Sequence, residues 1–253
     1  HPEYRRQRQM CIRDSVQTHC SEDDWEHAHV QRRCGMSDTA ALQDFGLLTD
    51  KTILAHSTFI DDDDMAMIAA AGSGVAHCPL SNVFFSNAVF PLRRALEKGL
   101  HVGLGTDISG GPAGSLMDTA RMTVIASRML EEGVDASSPA GRRGVPSSRV
   151  DFRTAFWLAT MGGAQALDLP VGCFAPGRQF DAMLVRLPAD HLLDIANGDN
   201  ESGDGKRDGT SDSMARDADM EAGDDLLQKI VMLATPDHIL QTWVAGTSVH
   251  RRD

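Results

Sequence analysis

Val16-Gln17-Thr18-His19, Ile53-Leu54-Ala55-His56, Gly74-Val75-Ala76-His77 and Val102-Gly103-Leu104-Gly105-Thr106-Asp107 share one pattern: a short apolar run ending on a polar, reactive side chain. Helical patterns lie between them. Asp61 to Asp64 precede Met65, Met67, Ile68 and Ala71, so acids fall in a first helical turn, where they favour the macrodipole. Pro91 opens a second helix, with Leu92, Ala95 and Leu96 at i, i+3, i+4 and Gly99 closing it. Ser115 to Glu132 and Phe152 to Leu167 read as two longer helices. Buried strands alternating with helices predict βα units, a parallel sheet and an α/β fold.

The remainder of the composition narrows the function. The 253 residues hold 24 Lys and Arg against 36 Asp and Glu, a formal charge of −12. Such an acidic surface disfavours nucleic acid and anionic lipid, because neutralising phosphates needs basic patches. No apolar run reaches the roughly 18 residues of a membrane span, and no secretory signal pattern opens the chain. The cysteines (Cys11, Cys20, Cys34, Cys78, Cys173) are scattered and odd in number. That spacing argues against a disulfide framework and for a reducing, cytoplasmic setting.

Three further segments follow from local composition. Residues 1–15 are basic, hold the only tyrosine (Tyr4) and lack apolar periodicity. Met10 to Ser15 matches the translation of a transposon-end sequence used in DNA library preparation, so an artefactual or unstructured start is expected. Residues 196–225 hold ten acids, three bases, five glycines and no Trp, Phe, Leu, Ile or Val. Such a segment buries too little apolar surface to offset its ordering entropy, so a disordered acidic insertion is expected. After it, Asp225 to Thr235 is helical in pattern and Ile239 to Val249 reads as strand, with a turn at Gly246.

The chemistry-bearing residues are the strand ends His19, His56, His77 and Asp107. In a parallel βα barrel the C-terminal ends of the strands open on one mouth, where active sites are built. Neutral imidazoles and one carboxylate suit a zinc or iron site with an open position. A single such residue is more often a packed or solvent-facing side chain than a ligand; the four in order carry the argument. Glu22 follows His19 by three residues. Folded back over the mouth, it takes a proton from an attacking water and passes it to a leaving group. The alternative is a helix start, with Ser21 capping and Glu22, Asp23 and Asp24 in the first turn. Gly103, Gly105, Gly110 and Gly111 surround Asp107, and permit either close backbone approach to a ligand or a tight barrel turn.

Ala55-His56, His77-Cys78-Pro79-Leu80-Ser81-Asn82 and Gly103 to Asp107 together resemble the amidohydrolase superfamily, in its deaminase and chlorohydrolase branch. Within that branch they are most similar to the guanine deaminases. Val16 to Glu22, Leu48 to His56, Phe90 to Arg94, Asp107 to Ser115, Phe156 through Gly163 and Pro176 to Ala182 support the resemblance. It runs from about Val16 to Leu187 and resumes from Leu226 to His250. It implies a distorted (β/α)8 barrel with a small β-sandwich. This chain would supply the side carrying strands 5–8 (residues 16–176), with residues 177–195 and 226–253 as sandwich strands and terminal helix. By resemblance, His19, His56 and Asp107 are metal ligands and Glu22, His56 and Asp107 catalytic groups. His77, Ser81 and Asn82 line the substrate pocket. The implied cofactor is one Zn2+, with Fe2+ equally suited to three N/O ligands. The implied partner is a small purine base, guanine, converted with water to xanthine and ammonia. The intact enzyme would be compatible with a homodimer.

The sequence also departs from the family. The family carries a His-x-His pair on its first barrel strand. The only such pair here, His27-Ala28-His29, follows the fifth-strand histidine inside a polar helix. The chain is therefore expected to be the C-terminal portion of an enzyme, inactive alone. Other readings are a deaminase or chlorohydrolase of other purines or triazines, and a noncatalytic half-barrel interaction protein whose open sheet edges pair with another chain.

Overall fold

The computed structural model describes residues 15–85, 87–186 and 212–252. The chain divides into two compact units, His1–Arg178 and Gln179–Asp253.

The first unit is built on one parallel sheet. Strands β1 (Val16–Cys20), β2 (Thr52–His56), β3 (Gly74–His77) and β4 (His101–Leu104) lie side by side in sequence order. Register pairs His19 with Ala55, Cys20 with His56, and His77 with Leu104, so the reactive residues fall at the C-terminal end of the sheet. Helices α1 (Asp24–Cys34) and α2 (Asp38–Asp44) join β1 to β2. Helix α3 (Asp62–Ala71) joins β2 to β3, and α4 (Pro79–Phe84) and α5 (Leu92–Glu97) join β3 to β4. Parallel pairing requires such crossovers. The sheet is open: β1 and β4 stand at its edges.

Local signals explain these helices. The Asp61 side chain accepts from the amides of Asp63 and Asp64, and Asp64 returns a bond to the Asp61 amide, a reciprocal cap. Gly72 ends α3 at φ 71°. Ser115 caps α6 (Leu116–Glu132) by accepting from Met117. The core under the sheet gathers Leu54, Met65, Ile68, Val75, Val102 and Leu158, all fully buried. Each contributes about 1.5–3 kcal/mol relative to an exposed side chain.

One local expectation is corrected and one refined. Asp23, not Ser21, caps α1, accepting from Glu26 N at 2.6 Å. Ser21 Oγ instead donates to the buried carboxylate of Asp38 at 2.7 Å. The helix expected over 152–167 is present and widens into a π turn at its middle. After α7 (Phe152–Trp157) comes a wide π turn, Leu158–Gly162, and then the short α8 (Gly163–Ala166). The two glycines at this join lie against β4: a Cβ on Gly103 would stand 2.8 Å from Gly163 Cα, and one on Gly162 would stand 2.5 Å from Val102 O. Only backbone without side chains allows so close an approach.

The second unit holds an antiparallel sheet of β5 (Ala182–Val185), β6 (Ile239–Val244) and β7 (Thr247–Arg251). Ala245 and Gly246, both at positive φ, make the two-residue turn between the last two strands. Helix α9 runs Asp212–Leu233. It overturns part of the disordered segment expected over 196–225: residues 212–225 are helical, and 196–211 lie outside the described residues, as do 1–14. The physical reason is local. Met214, Ala215, Arg216, Ala218, Met220, Glu221 and Ala222 are good helix formers, and a helix needs no large buried surface where propensity and a packed C-terminal half support it. No helix among the described residues is long and apolar enough to cross a membrane.

Candidate active site

The chain leaves β1, β2 and β4 through left-handed backbone. Ser21 (φ 47°), His56 (φ 66°), Ser57 (φ 52°) and Asp107 (φ 49°) all sit where L-residues are strained. At His56 this conformation has a definite effect. An extended His56 would project to the same face as its register partner Cys20, whose side chain is in the core. The turned backbone instead brings the imidazole over His19, and the two rings stack with centroids 5.2 Å apart and planes inclined by 14°.

Hydrogen bonds tie the two turns together. The Ser57 amide donates to Cys20 O at 2.9 Å, and the amides of Thr58 and Phe59 donate to Ser21 O at 3.0 and 3.2 Å. Ser21 Oγ is held by Asp38, and His27 Nδ1 lies 3.3 Å from the same carboxylate oxygen. The Glu22 amide donates to Glu26 Oε2 at 2.7 Å. Glu22 therefore leaves the strand from a backbone fixed on both sides. Its Oε1 lies 3.7 Å from His56 Nε2 and its Oε2 lies 4.0 Å from His19 Nε2. One donor atom from each of His19, Glu22 and His56 lies within 4.8 Å of the others, spacing suited to one metal ion.

The other expected site residues surround this cluster. His56 Nδ1 is 2.9 Å from Asn82 Oδ1. His77 is fully buried, packed on Phe90 with ring centroids 5.2 Å apart. Burial, with a smaller contribution from His56, pushes its pKa down to about 3, so it is neutral at ordinary pH. Ser81 is buried on α4, beside Asn82. Asp107, at the end of β4, is partly buried and lies outside the His19–Glu22–His56 group. Its charge reaches Cys78, whose thiol is pushed up to about 12 by burial first, then by Asp107, and more weakly by Glu22. His27 and His29 belong to neither set: His27 is engaged by Asp38 and Ser21, and His29 stacks on Trp25.

Buried polar atoms without a partner concentrate here. His56 Nε2, Ser57 Oγ, Thr58 Oγ1, His77 Nδ1, Ser81 Oγ and Asn82 Nδ2 make no hydrogen bond. Unsatisfied buried groups each carry a cost of about 1–3 kcal/mol, which a water or a ligand would relieve. Ser57 and Thr58 were not among the residues expected from sequence; the signal available was their position directly after a strand-end histidine.

A model of the amidohydrolase family matches residues 12–249. The chain belongs to this family. This amidohydrolase is 33% identical to the probable guanine deaminase of Deinococcus radiodurans over 210 residues, 82% of this chain and 40% of that protein. It is 35% identical to the 5-methylthioadenosine/S-adenosylhomocysteine deaminase of Pyrococcus abyssi over 180 residues, 71% of this chain and 40% of that one. Among solved structures, E. coli guanine deaminase matches with a TM-score of 0.73 at 24% identity, over 98% of this chain and 50% of that one. Atrazine chlorohydrolase TrzN from Arthrobacter aurescens, complexed with zinc, matches with a TM-score of 0.69 at 20% identity, over 97% of this chain and 46% of that one. At these identities the structural matches show the fold. The amidohydrolase chain spans about 40% of the length of these curated relatives.

Proposed function

We propose that the chain carries the strand 5–8 side of a metal-dependent guanine deaminase barrel, acting on guanine and water to give xanthine and ammonia. The observation that carries this reading is the Glu22 carboxylate set between the Nε2 atoms of His19 and His56. Identities of about one third to guanine deaminases support the choice of substrate.

The residues present fit a metal ion. His56 Nε2 is buried without a partner, and it faces a second imidazole and a carboxylate. His19 and His56 would hold the ion, and Asp107 is the proposed further ligand. Zinc bound there supplies Lewis acidity that brings the pKa of water toward neutrality. The chain's own groups do the rest. A Glu22 carboxylate oxygen accepts the proton of the attacking water and returns it to the purine ring nitrogen. Asp107 takes the remaining hydroxyl proton of the adduct and passes it to the amino nitrogen, which departs as ammonia, while His56 helps stabilise the charge of the adduct. Ser81 and Asn82, with neutral His77, line the pocket wall and offer buried polar atoms to the base. The 253-residue chain alone is inactive in this reading, because His27 and His29 are committed elsewhere and no other His-x-His pair occurs in the chain.

A second reading, deamination of 5-methylthioadenosine or S-adenosylhomocysteine, is favoured by the 35% identity to the Pyrococcus abyssi protein. Joining the chain to a first half that carries His-x-His and assaying ammonia release separates the two. Guanine as the turned-over substrate, with xanthine formed, supports the first. Turnover of the adenine-containing substrates without guanine would replace it.

A further inference from the structure

Ser21 is the residue through which the chain passes from β1 to Glu22, and its backbone stands at φ 47°, where an L-residue is strained. Such a conformation persists where the surroundings over-determine it. The Ser21 carbonyl accepts from the amides of Thr58 and Phe59 at 3.0 and 3.2 Å, which stitches the turn to the exit of β2. Its hydroxyl is fully buried and donates to Asp38 Oδ2 at 2.7 Å. Asp38 is 5% exposed and opens α2, whose start is itself anchored. There Ser37 accepts from Ala40 N at 3.2 Å and donates to the buried Asp64 at 2.5 Å. The adjoining pair meets as well, with Cys20 Sγ 3.7 Å from Thr39 Oγ1. The Asp38 oxygen that holds Ser21 also lies 3.3 Å from His27 Nδ1. His27 in turn stacks on Phe59, with ring centroids 6.1 Å apart.

We propose that Asp38 is a positioning residue, which holds Ser21 in its left-handed turn and so aims Glu22 between His19 and His56. A bond from a hydroxyl to a carboxylate is among the stronger side-chain ties, and this one offsets the strain of the turn. Glu22 oxygens lie 4.0 and 3.7 Å from the two Nε2 atoms. With Ser21 relaxed to extended backbone, side chains alternate across the sheet and Glu22 starts in another direction. The functional meaning of Asp38 rests on the reading of Glu22 as the proton carrier. The hold of Asp38 on the turn does not.

The test uses the full chain without metal or substrate. Native-state hydrogen exchange, read amide by amide, follows Thr58 and Phe59, which donate to Ser21, and Glu22, which follows it. Asp38→Leu removes the acceptor and Ser21→Ala removes the donor. Each speeds exchange at these three amides by about 10–100-fold, the range set by one hydrogen bond to a charged group, and leaves the amides of β2 and β3 unchanged. Ser21→Gly also lacks the hydroxyl, but glycine adopts positive φ without strain. It keeps the protection, and in Ser21→Gly/Asp38→Leu it restores what Asp38→Leu lost, a rescue that a merely structural role for Asp38 would not allow. Crystal structures of the same chains show the Glu22 carboxylate displaced in Ser21→Ala and in place in Ser21→Gly. Unchanged exchange in Ser21→Ala overturns the proposal, as does an unmoved Glu22, whether or not Asp38→Leu folds. So does a folded Asp38→Leu whose exchange is unchanged, speeds throughout the sheet, or is not restored by Ser21→Gly. If these results hold while Glu22→Gln leaves turnover intact in the completed enzyme, the role of Asp38 in the turn stands and the reading of Glu22 falls.

Discussion

Glu22 Oε1 lies 3.7 Å from His56 Nε2, although the two residues come from different strand ends, 34 positions apart in sequence. The stacked His19 ring completes the group, and all three donors lie within 4.8 Å of one another. The proposed ligands His19, His56 and Asp107 are fewer than the four of a closed zinc site, and His19 is 61% exposed, so solvent competes for it. The chain should therefore bind zinc weakly. Dialysis against a chelator should strip it, and His56→Gln should abolish residual uptake. Stoichiometric zinc surviving the chelator would show a complete site.

Glu22→Gln keeps size and hydrogen bonding but cannot accept the water proton. In a protein completed by a His-x-His-bearing half, it should lower turnover by about 10²–10⁴, the usual span for a general acid–base group. Metal content, read by elemental analysis, should be unchanged. Loss of metal together with activity would make Glu22 a ligand instead. Asp107→Asn should lose both at once, because it removes a charged ligand as well as a base.

His77 should make the fold acid-sensitive. Its folded pKa of about 3 lies below the ordinary 6.5. The unfolded chain takes up a proton as pH falls through about 6.5, and the folded chain does not until about 3. Stability from this residue is present above pH 6.5 and is lost progressively across that window. Urea midpoints measured from pH 7 to 4 should fall less steeply in His77→Gln, by up to about one proton in the slope. Identical slopes would show that folding does not lower the pKa of His77.

Gly103 and Gly163 make a paired test of the β4 contact. A Cβ on Gly103 meets Gly163 Cα at 2.8 Å, and backbone cannot move aside cheaply, so Gly103→Ala should destabilise by about 1–3 kcal/mol. A Cβ on Gly163 meets only Leu158 O, at an ordinary 3.5 Å, and its helical φ of −60° suits alanine. Gly163→Ala should be neutral or stabilise by about 0.5–1 kcal/mol. Denaturant melts of the two variants read the difference. Equal effects would mean the strand and helix do not meet as closely as described.

The βα alternation, the strand ends at His19, His56 and His77, and the capped helices were legible from residue order. Each depends on near neighbours: apolar periodicity, a capping side chain, a glycine after the last turn. Asp61 and Gly72 show this at the two ends of α3. The same local logic misplaced the α1 cap, because Ser21 is claimed by Asp38, a residue 17 positions away. It read the helix over 152–167 but not the π turn inside it, which forms where Gly162 and Gly163 lie against β4. In the site, strand-end position singled out His19, Glu22, His56, His77 and Asp107, and the family resemblance added Ser81 and Asn82, but neither showed how they divide. The turned backbone of His56, its bond to Asn82, and the separation of Asp107 from the His19–Glu22–His56 group all arise from contacts between different strand ends. Such contacts are set by register and by long-range packing. A pattern read along one chain carries the chemistry available at each strand end, and only folding brings those ends close enough to decide which nitrogen faces which oxygen.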